Sequence, residues 1–245
     1  TTVSVTIRCT TSDADGNEIG STDLSVSFAI PDSVVPSIGS LSMAPVNSNS
    51  TVSGWGIYLQ GYSACQITAA SLSGAQGSTI ASVSVRLGSA AVSGSISGTT
   101  WTGTSDIIST SGTLQVTVTV TDSRGRTATS TGTITVYEYS TPTASGIKIF
   151  RTASASTSVE SDSGTYLYVY AKLSYSSANG KNSGSMTVKW KTASASSYGS
   201  ATTISSETAY RLGNGGISVA AAYDVMLTVT DSLGNANSYT VSLST

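Results

Sequence analysis

Asp13-Ala14-Asp15-Gly16, Asp122-Ser123-Arg124-Gly125 and Asp231-Ser232-Leu233-Gly234 recur at a spacing of 109 residues. Each stands where an alternating apolar/polar run breaks off. Val116-Thr117-Val118-Thr119-Val120-Thr121 precedes the middle copy, Met226-Leu227-Thr228-Val229-Thr230 the last, and Val3-Ser4-Val5-Thr6-Ile7 lies a little before the first. Alternation puts every second side chain on one face of a strand. Asp then bonds its own backbone and Gly accepts positive φ, so the cluster is a turn. A second alternating run follows, Gly132-Thr133-Ile134-Thr135-Val136-Tyr137 after the middle copy and Ser238-Tyr239-Thr240-Val241-Ser242-Leu243 after the last. The unit is a hairpin. Its period of about 100 residues is that of serial β-sandwich modules, whereas solenoid repeats run about 20–50 residues.

The expected fold is therefore all-β, a tandem of immunoglobulin-like or fibronectin-III-like sandwiches. Pro36 and Pro142 mark module starts, since proline cannot donate to a sheet ladder. This gives 1–35 as the closing hairpin of a preceding β-module whose beginning is absent, then sandwiches over 36–141 and 142–245. Strands are expected near 38–44, 52–60, 80–87, 96–102, 113–121 and 130–138. In the last module they are expected near 145–151, 164–174, 185–192, 200–210, 223–230 and 236–243. Gly54-Trp55-Gly56-Ile57-Tyr58-Leu59 aligns with Gly164-Thr165-Tyr166-Leu167-Tyr168-Val169 as a pair of second strands, and Trp190 takes the core tryptophan position of a sandwich. Helix content should be very low.

Charge narrows the function. Only 10% of residues are charged and the net charge is −2, against about 25% charged in an ordinary domain. Disorder needs high net charge and few β-branched residues, so it is excluded by the alternating runs. The eleven Lys and Arg are scattered apart from Arg124 and Arg126, which speaks against a nucleic-acid partner. No run approaches the ~20 apolar residues of a membrane span. Cys9 and Cys65 fall in different modules, and two buried free thiols are expected rather than a disulfide.

Histidine is absent, which removes the commonest general base and the Ser-His-Asp and Cys-His arrangements. Glu160 and Asp162, two apart, have glycosidase-like spacing, but a solvated loop is the favoured reading. The chain reads as a non-enzyme. No cofactor is expected, with calcium at Asp13, Asp15 and Asn17 the one candidate; a plain hairpin turn needs the same residues. Two surfaces stand out as binding candidates. Arg124 and Arg126 project from a hairpin tip, where guanidinium forks suit phosphate. Tyr166, Tyr168 and Tyr170 share one strand face, opposite Leu167, Val169, Ala171 and Leu173, which form the core side. Such a stripe suits a sugar, a neighbouring module or another subunit, and a homo-oligomer is the expected state.

The phrase Thr119 to Thr127 with its Asp-Ser-Arg-Gly-Arg turn, followed by Ile134-Thr135-Val136-Tyr137-Glu138-Tyr139 and Pro142, resembles the closing hairpin of modules in a family of siphophage minor structural proteins. These occur on tails infecting Gram-positive bacteria and string together immunoglobulin-like modules. The resemblance covers 36–245, and the N-terminal hairpin more weakly; Leu233 and Asn235 replace the arginines in the last module. It implies a location in the virion at or near the tail tip, extracellular when acting, with other virion tail proteins as partners. It also implies adhesion to the host envelope, for which Arg124 and Arg126 would suit an anionic cell-wall glycopolymer such as teichoic acid. The other readings are a carbohydrate-binding module or a stalk module of a bacterial extracellular protein.

Overall fold

The computed structural model describes residues 2–29, 31 and 33–245. They form two compact units, one of residues 1–44, 66–105 and 114–134, the other of residues 45–65, 106–113 and 135–245. Strands β1 (Thr2–Ser12) and β2 (Glu18–Ala29) make an isolated two-stranded antiparallel sheet. The next span carries β3 (Ser40–Asn47), α1 (Ser50–Trp55), β4 (Tyr58–Leu59), β5 (Ser63–Ala70), β6 (Ile80–Leu87), β7 (Ala90–Ala91), β8 (Gly94–Ser97), β9 (Thr100–Thr104), β10 (Gly112–Asp122) and β11 (Thr127–Tyr137). The last span carries β12 (Thr143–Thr152), β13 (Tyr166–Ser174), β14 (Gly184–Thr192), β15 (Thr202–Ile204), β16 (Tyr210–Leu212), β17 (Tyr223–Asp231) and β18 (Ala236–Leu243).

The chain is all-β with one six-residue helix among the described residues. In the middle span the sheets run β3-β5-β9-β8 and β4-β11-β10-β6-β7; in the last they run β12-β13-β16 and β15-β14-β17-β18. The first pair places four strands in the immunoglobulin order of first, second, fifth and fourth. In the second pair the strand after β14 has moved to pair with β14 itself, over Met186↔Ile204 to Val188↔Thr202. Both are β-sandwiches.

Period-two burial builds their cores. Along β17 every second residue from Tyr223 to Asp231 is buried, and Val225, Leu227 and Val229 are sealed with Leu167, Val169, Met186 and Val188. Trp190 packs against this core at half-burial, edge-on to Tyr223 at 5.6 Å. In the middle span Val116, Val118 and Val120 alternate inward likewise. Trp101 lies in a slot only glycine permits: a Cβ on Gly94 would come within 2.4 Å of its ring and one on Gly103 within 2.5 Å.

Three sequence expectations change. Residues Ser50–Trp55 are helix rather than strand, because the Asn49 side chain accepts from the N–H groups of Thr51 and Val52 and Gly56 closes the turn at φ 65°. The strand partnering β3 is β5, whose Ser63, Ala64 and Cys65 are small and buried. The counterpart of Tyr166–Ala171 is thus β5, not the segment around Tyr58. The long strands expected over 96–102 and 200–210 are each split in two, β8 from β9 and β15 from β16, with Gly98 and Glu207 at positive φ.

Cys65 is buried as expected, but Cys9 is exposed. It lies on the face of β1–β2 that also bears Val3, Val5, Ile7, Leu24 and Phe28, all 43–60% exposed. Nothing among the described residues covers that face, and a two-stranded sheet alone is marginal in water. Leu227→Ala should therefore cost about 2–5 kcal/mol in urea unfolding, while Ile7→Ala, on a face that buries nothing, should stay within about 0.5 kcal/mol.

Candidate interaction surfaces

The three hairpin turns share one construction. In each, the Asp N–H bonds the carbonyl four residues on, at 2.9–3.0 Å, and the Gly N–H bonds the Asp carbonyl, at 2.9–3.1 Å. One carboxylate oxygen accepts the N–H groups two and four residues later: Asp13 from Asp15 and Asn17, Asp122 from Arg124 and Arg126, Asp231 from Leu233 and Asn235. Gly16, Gly125 and Gly234 sit at φ 79–85°, where a side chain would be strained. The second oxygen is left to find another partner, and here the copies diverge.

On Asp13 that partner is the Asn17 side-chain amide at 3.2 Å, so the calcium-candidate carboxylate is taken up by its own turn. On Asp122 it is Arg126, whose Nη2 lies 2.7 Å away, joined by the Ser78 hydroxyl at 3.0 Å. Arg126 thus folds back instead of projecting; its side chain is 13% exposed beside a carboxylate with none. Arg124 is exposed but donates to the carbonyls of Gln76 and Ala75. The tip signals in the sequence did not reveal that a neighbouring loop would supply acceptors.

On Asp231 the second oxygen accepts from the Tyr139 hydroxyl at 2.7 Å and the Asn182 amide at 3.4 Å. Asn235 donates to the hydroxyls of Tyr139 and Tyr62, at 2.6 and 2.8 Å. Beside these bonds Leu233, Trp55, Ile57, Tyr62, Tyr137 and Tyr139 pack on buried Val52, Leu59 and Ala178, with the rings of Tyr62 and Tyr139 edge-to-face at 5.1 Å. The two positions where Leu233 and Asn235 replace arginines are therefore joint residues. Sequence spacing flagged the replacement but not its partners.

The tyrosine stripe lies on the outer face of sheet β12-β13-β16, with Leu167, Val169 and Ala171 buried on the core side as expected. Cross-strand register sets Phe150, Tyr168 and Arg211 in one row. The Phe150 and Tyr168 rings stack at 4.4 Å, and the Arg211 guanidinium lies 4.2 Å from the Tyr168 ring. Tyr168 is buried by this arrangement, at 7% exposure. Tyr170, half-buried, has exposed Lys148 at 5.8 Å, and Tyr166 is half-buried. Phe150, Lys148 and Arg211 thus complete a cationic-aromatic face, with Arg211 anchored to the Thr157 carbonyl and the Ser158 hydroxyl. Only strand pairing could have joined them to the stripe.

Glu160 and Asp162 line a small polar cleft of about 70 Å³ with Arg151. Arg151 is buried and donates to the carbonyls of Ser218 and Ala221, closing one end of the sandwich. No group of three or more His, Cys, Asp or Glu that could hold a metal ion occurs among the described residues. No helix among them is long and apolar enough to cross a membrane.

The model of one protein family, described as siphovirus protein of unknown function, matches residues 1–241. The chain belongs to that siphovirus family. No curated protein matches it. Among solved structures, the siphovirus protein is similar to a Ca²⁺-stabilized adhesin with which an Antarctic bacterium binds ice, at 18% identity and TM-score 0.47. That match covers 98% of this chain and 55% of the adhesin, so the chain spans about half the adhesin's length. It is also similar to the fibronectin(III)-like modules of Clostridium thermocellum CbhA, at 16% identity, TM-score 0.29, and 83% and 92% coverage. Domains A168–A170 of titin match at 14% identity, TM-score 0.35, and 98% and 92% coverage. The sandwich assignment for the siphovirus protein rests on its own strand order.

Electrostatics follow from the turns. Burial works against ionisation of Asp122, but the Arg126 N–H and guanidinium, the Ser78 hydroxyl and the Arg124 N–H outweigh it and bring the carboxyl down to about 2. Burial, then the bonds to Asp231 and Tyr62, push the Tyr139 phenol far above the usual tyrosine range, keeping it a donor. Because the Asp122 pKa is lower folded than unfolded, where it is near 3.9, its stabilisation is present above about pH 4 and is lost as pH falls towards 2. Asp122→Asn should lower the melting temperature at neutral pH by several degrees and flatten the acid dependence between pH ~4 and ~2, as read by thermal unfolding. Tyr139→Phe leaves a buried Asp231 oxygen short of a donor and should cost about 1–3 kcal/mol.

Proposed function

We propose that this chain is a non-enzymatic structural and adhesive component of a siphovirus tail, contributing to attachment to the surface of a Gram-positive host. The observation that carries the reading is the joint around Asp231, Tyr139, Asn235 and Tyr62. Its polar groups are spent on holding successive sandwich elements together and not on lining a cleft. Membership of a siphovirus family over residues 1–241 supports a virion setting with other virion proteins as partners. In this reading 36–141 and 142–245 are modules, 1–35 closes another, and the protein works without a cofactor.

The contact surface is the outer face of β12-β13-β16. A ring face packs against the apolar side of a pyranose while Lys148 and Arg211 meet anionic groups on a wall glycopolymer. Repetition over the copies of a homo-oligomer then turns weak contacts into avidity.

Retention on intact Gram-positive cells and on purified wall glycopolymers tests the reading. The wild-type chain should be retained, and Lys148→Ala with Tyr170→Ala should lower retention about tenfold, a hot-spot-sized loss, with the melting temperature unchanged. No retention on cells or glycans by the oligomer would refute adhesion and leave a scaffold role. Equal retention by the variant would move the contact off this face.

A further inference from the structure

The hairpin β1–β2 and the end of β2 repeat half of the joint just described. In the complete joint, β4 adds to β11 as a parallel strand, with Tyr58 opposite Val136 and Leu59 opposite Tyr137. Leu59 and Val52 from the α1–β4 segment are fully buried there. The repeat maps Val116 and Val118, both fully buried, onto Ile7 and Cys9, both exposed. Register confirms the mapping, since Ile7↔Leu24 and Val5↔Val26 occupy the places of Val225↔Val241 and Tyr223↔Leu243. With Ile19 as the one extra residue at the bulge, Phe28 and Ala29 stand where Val136 and Tyr137 stand. At that place the structure has a groove of about 550 Å³ lined by Val3, Phe28, Ala29, Pro31, Val34 and Arg124. Arg124 is the counterpart of Leu233, which meets the α1–β4 cluster in the complete joint.

We propose that this groove and the apolar face of β1–β2 form one docking surface whose occupant is a half-sandwich of the kind built by residues 36–111, joined covalently ahead of β1. Its strands cover Val5, Ile7, Cys9 and Leu24. Its α1–β4 segment enters the groove and pairs in parallel with the free edge of β2 at Phe28–Ala29. Edge pairing supplies the backbone bonds and alternate side chains fill the groove. In both complete sandwiches the strands that cover the closing hairpin precede it in the same chain, which fixes the source. A second copy is disfavoured because its own α1–β4 segment is already seated against its own β11. The inference rests on the reading of 1–35 as a closing hairpin, and because its test involves no host ligand it fails separately from the adhesion reading.

Cys9 reports on the surface directly. In the 245-residue chain a maleimide should label Cys9 at the rate of an unfolded control while buried Cys65 is spared, with sites located by peptide mass. A chimera carrying a copy of residues 36–111 ahead of Thr2 should slow Cys9 labelling by about 100-fold or more, since labelling then needs the covered hairpin to open. It should also protect residues 33–36 from protease. Leu59→Asp in the added copy should leave Cys9 protected but restore cutting at 33–36. A peptide spanning 47–62, added to the unmodified chain, should shift the amide signals of Phe28 and Ala29, and its Leu59→Asp form should not. The proposal fails if Cys9 stays fast in the chimera, if both chimeras are cut alike, or if the two peptides act alike. It also fails if Cys9 is already protected in a dimer of the 245-residue chain by sedimentation, which would give the face to a second copy.

Discussion

A single carboxylate oxygen organises each closing hairpin of this protein. By accepting two backbone N–H groups, it fixes the turn that pairs the last two strands, and those strands carry the inward rows Val116-Val118-Val120 and Val225-Leu227-Val229. A slip of one residue in the turn would send each row to solvent. The sandwiches therefore depend on a bond that is local in sequence. This suits a topology in which pairings such as β6–β10 and β14–β17 join strands distant in sequence.

The other oxygen decides what the turn meets. In the middle copy it holds Arg126 and Ser78; in the last it holds Tyr139 and Asn182. Burial makes these bonds consequential, because an ionised oxygen cut off from water must be satisfied or its cost is felt in full. The same backbone motif thus serves as an internal brace in one place and as a joint in another.

Much of the fold could be read from the sequence because alternation and Asp/Gly turns are local signals. The strands 80–87, 185–192 and 223–230 lie where Val85-Leu87, Met186-Val188 and Val225-Leu227-Val229 announce an inward face. What was not legible shares a cause. Helix α1 depends on an Asn cap and a left-handed glycine with hardly any apolar period, and β5 opens with Ser63-Ala64-Cys65, too small to register as a core strand. The surfaces were half legible. Tyr166, Tyr168 and Tyr170 share a face by spacing alone, but Phe150, Lys148 and Arg211 reach them through cross-strand register. The exposure of Cys9 was hidden because a hairpin sequence says which face is apolar and not what covers it.

The turn positions two and four residues after each aspartate act as an address. Arg124 and Arg126 in one copy, Leu233 and Asn235 in the other, sit on identical backbones yet are not interchangeable. A guanidinium in place of Asn235 would crowd the Tyr62 hydroxyl and the Tyr139 hydroxyl that donates to Asp231, and an amide in place of Arg126 would give up the bonds that the guanidinium makes to the Ala75 carbonyl and the Ser78 hydroxyl. Recombination between the two hairpins would preserve every turn and still misassemble the chain, so the order of the sandwiches is written in side chains that the turns themselves do not need.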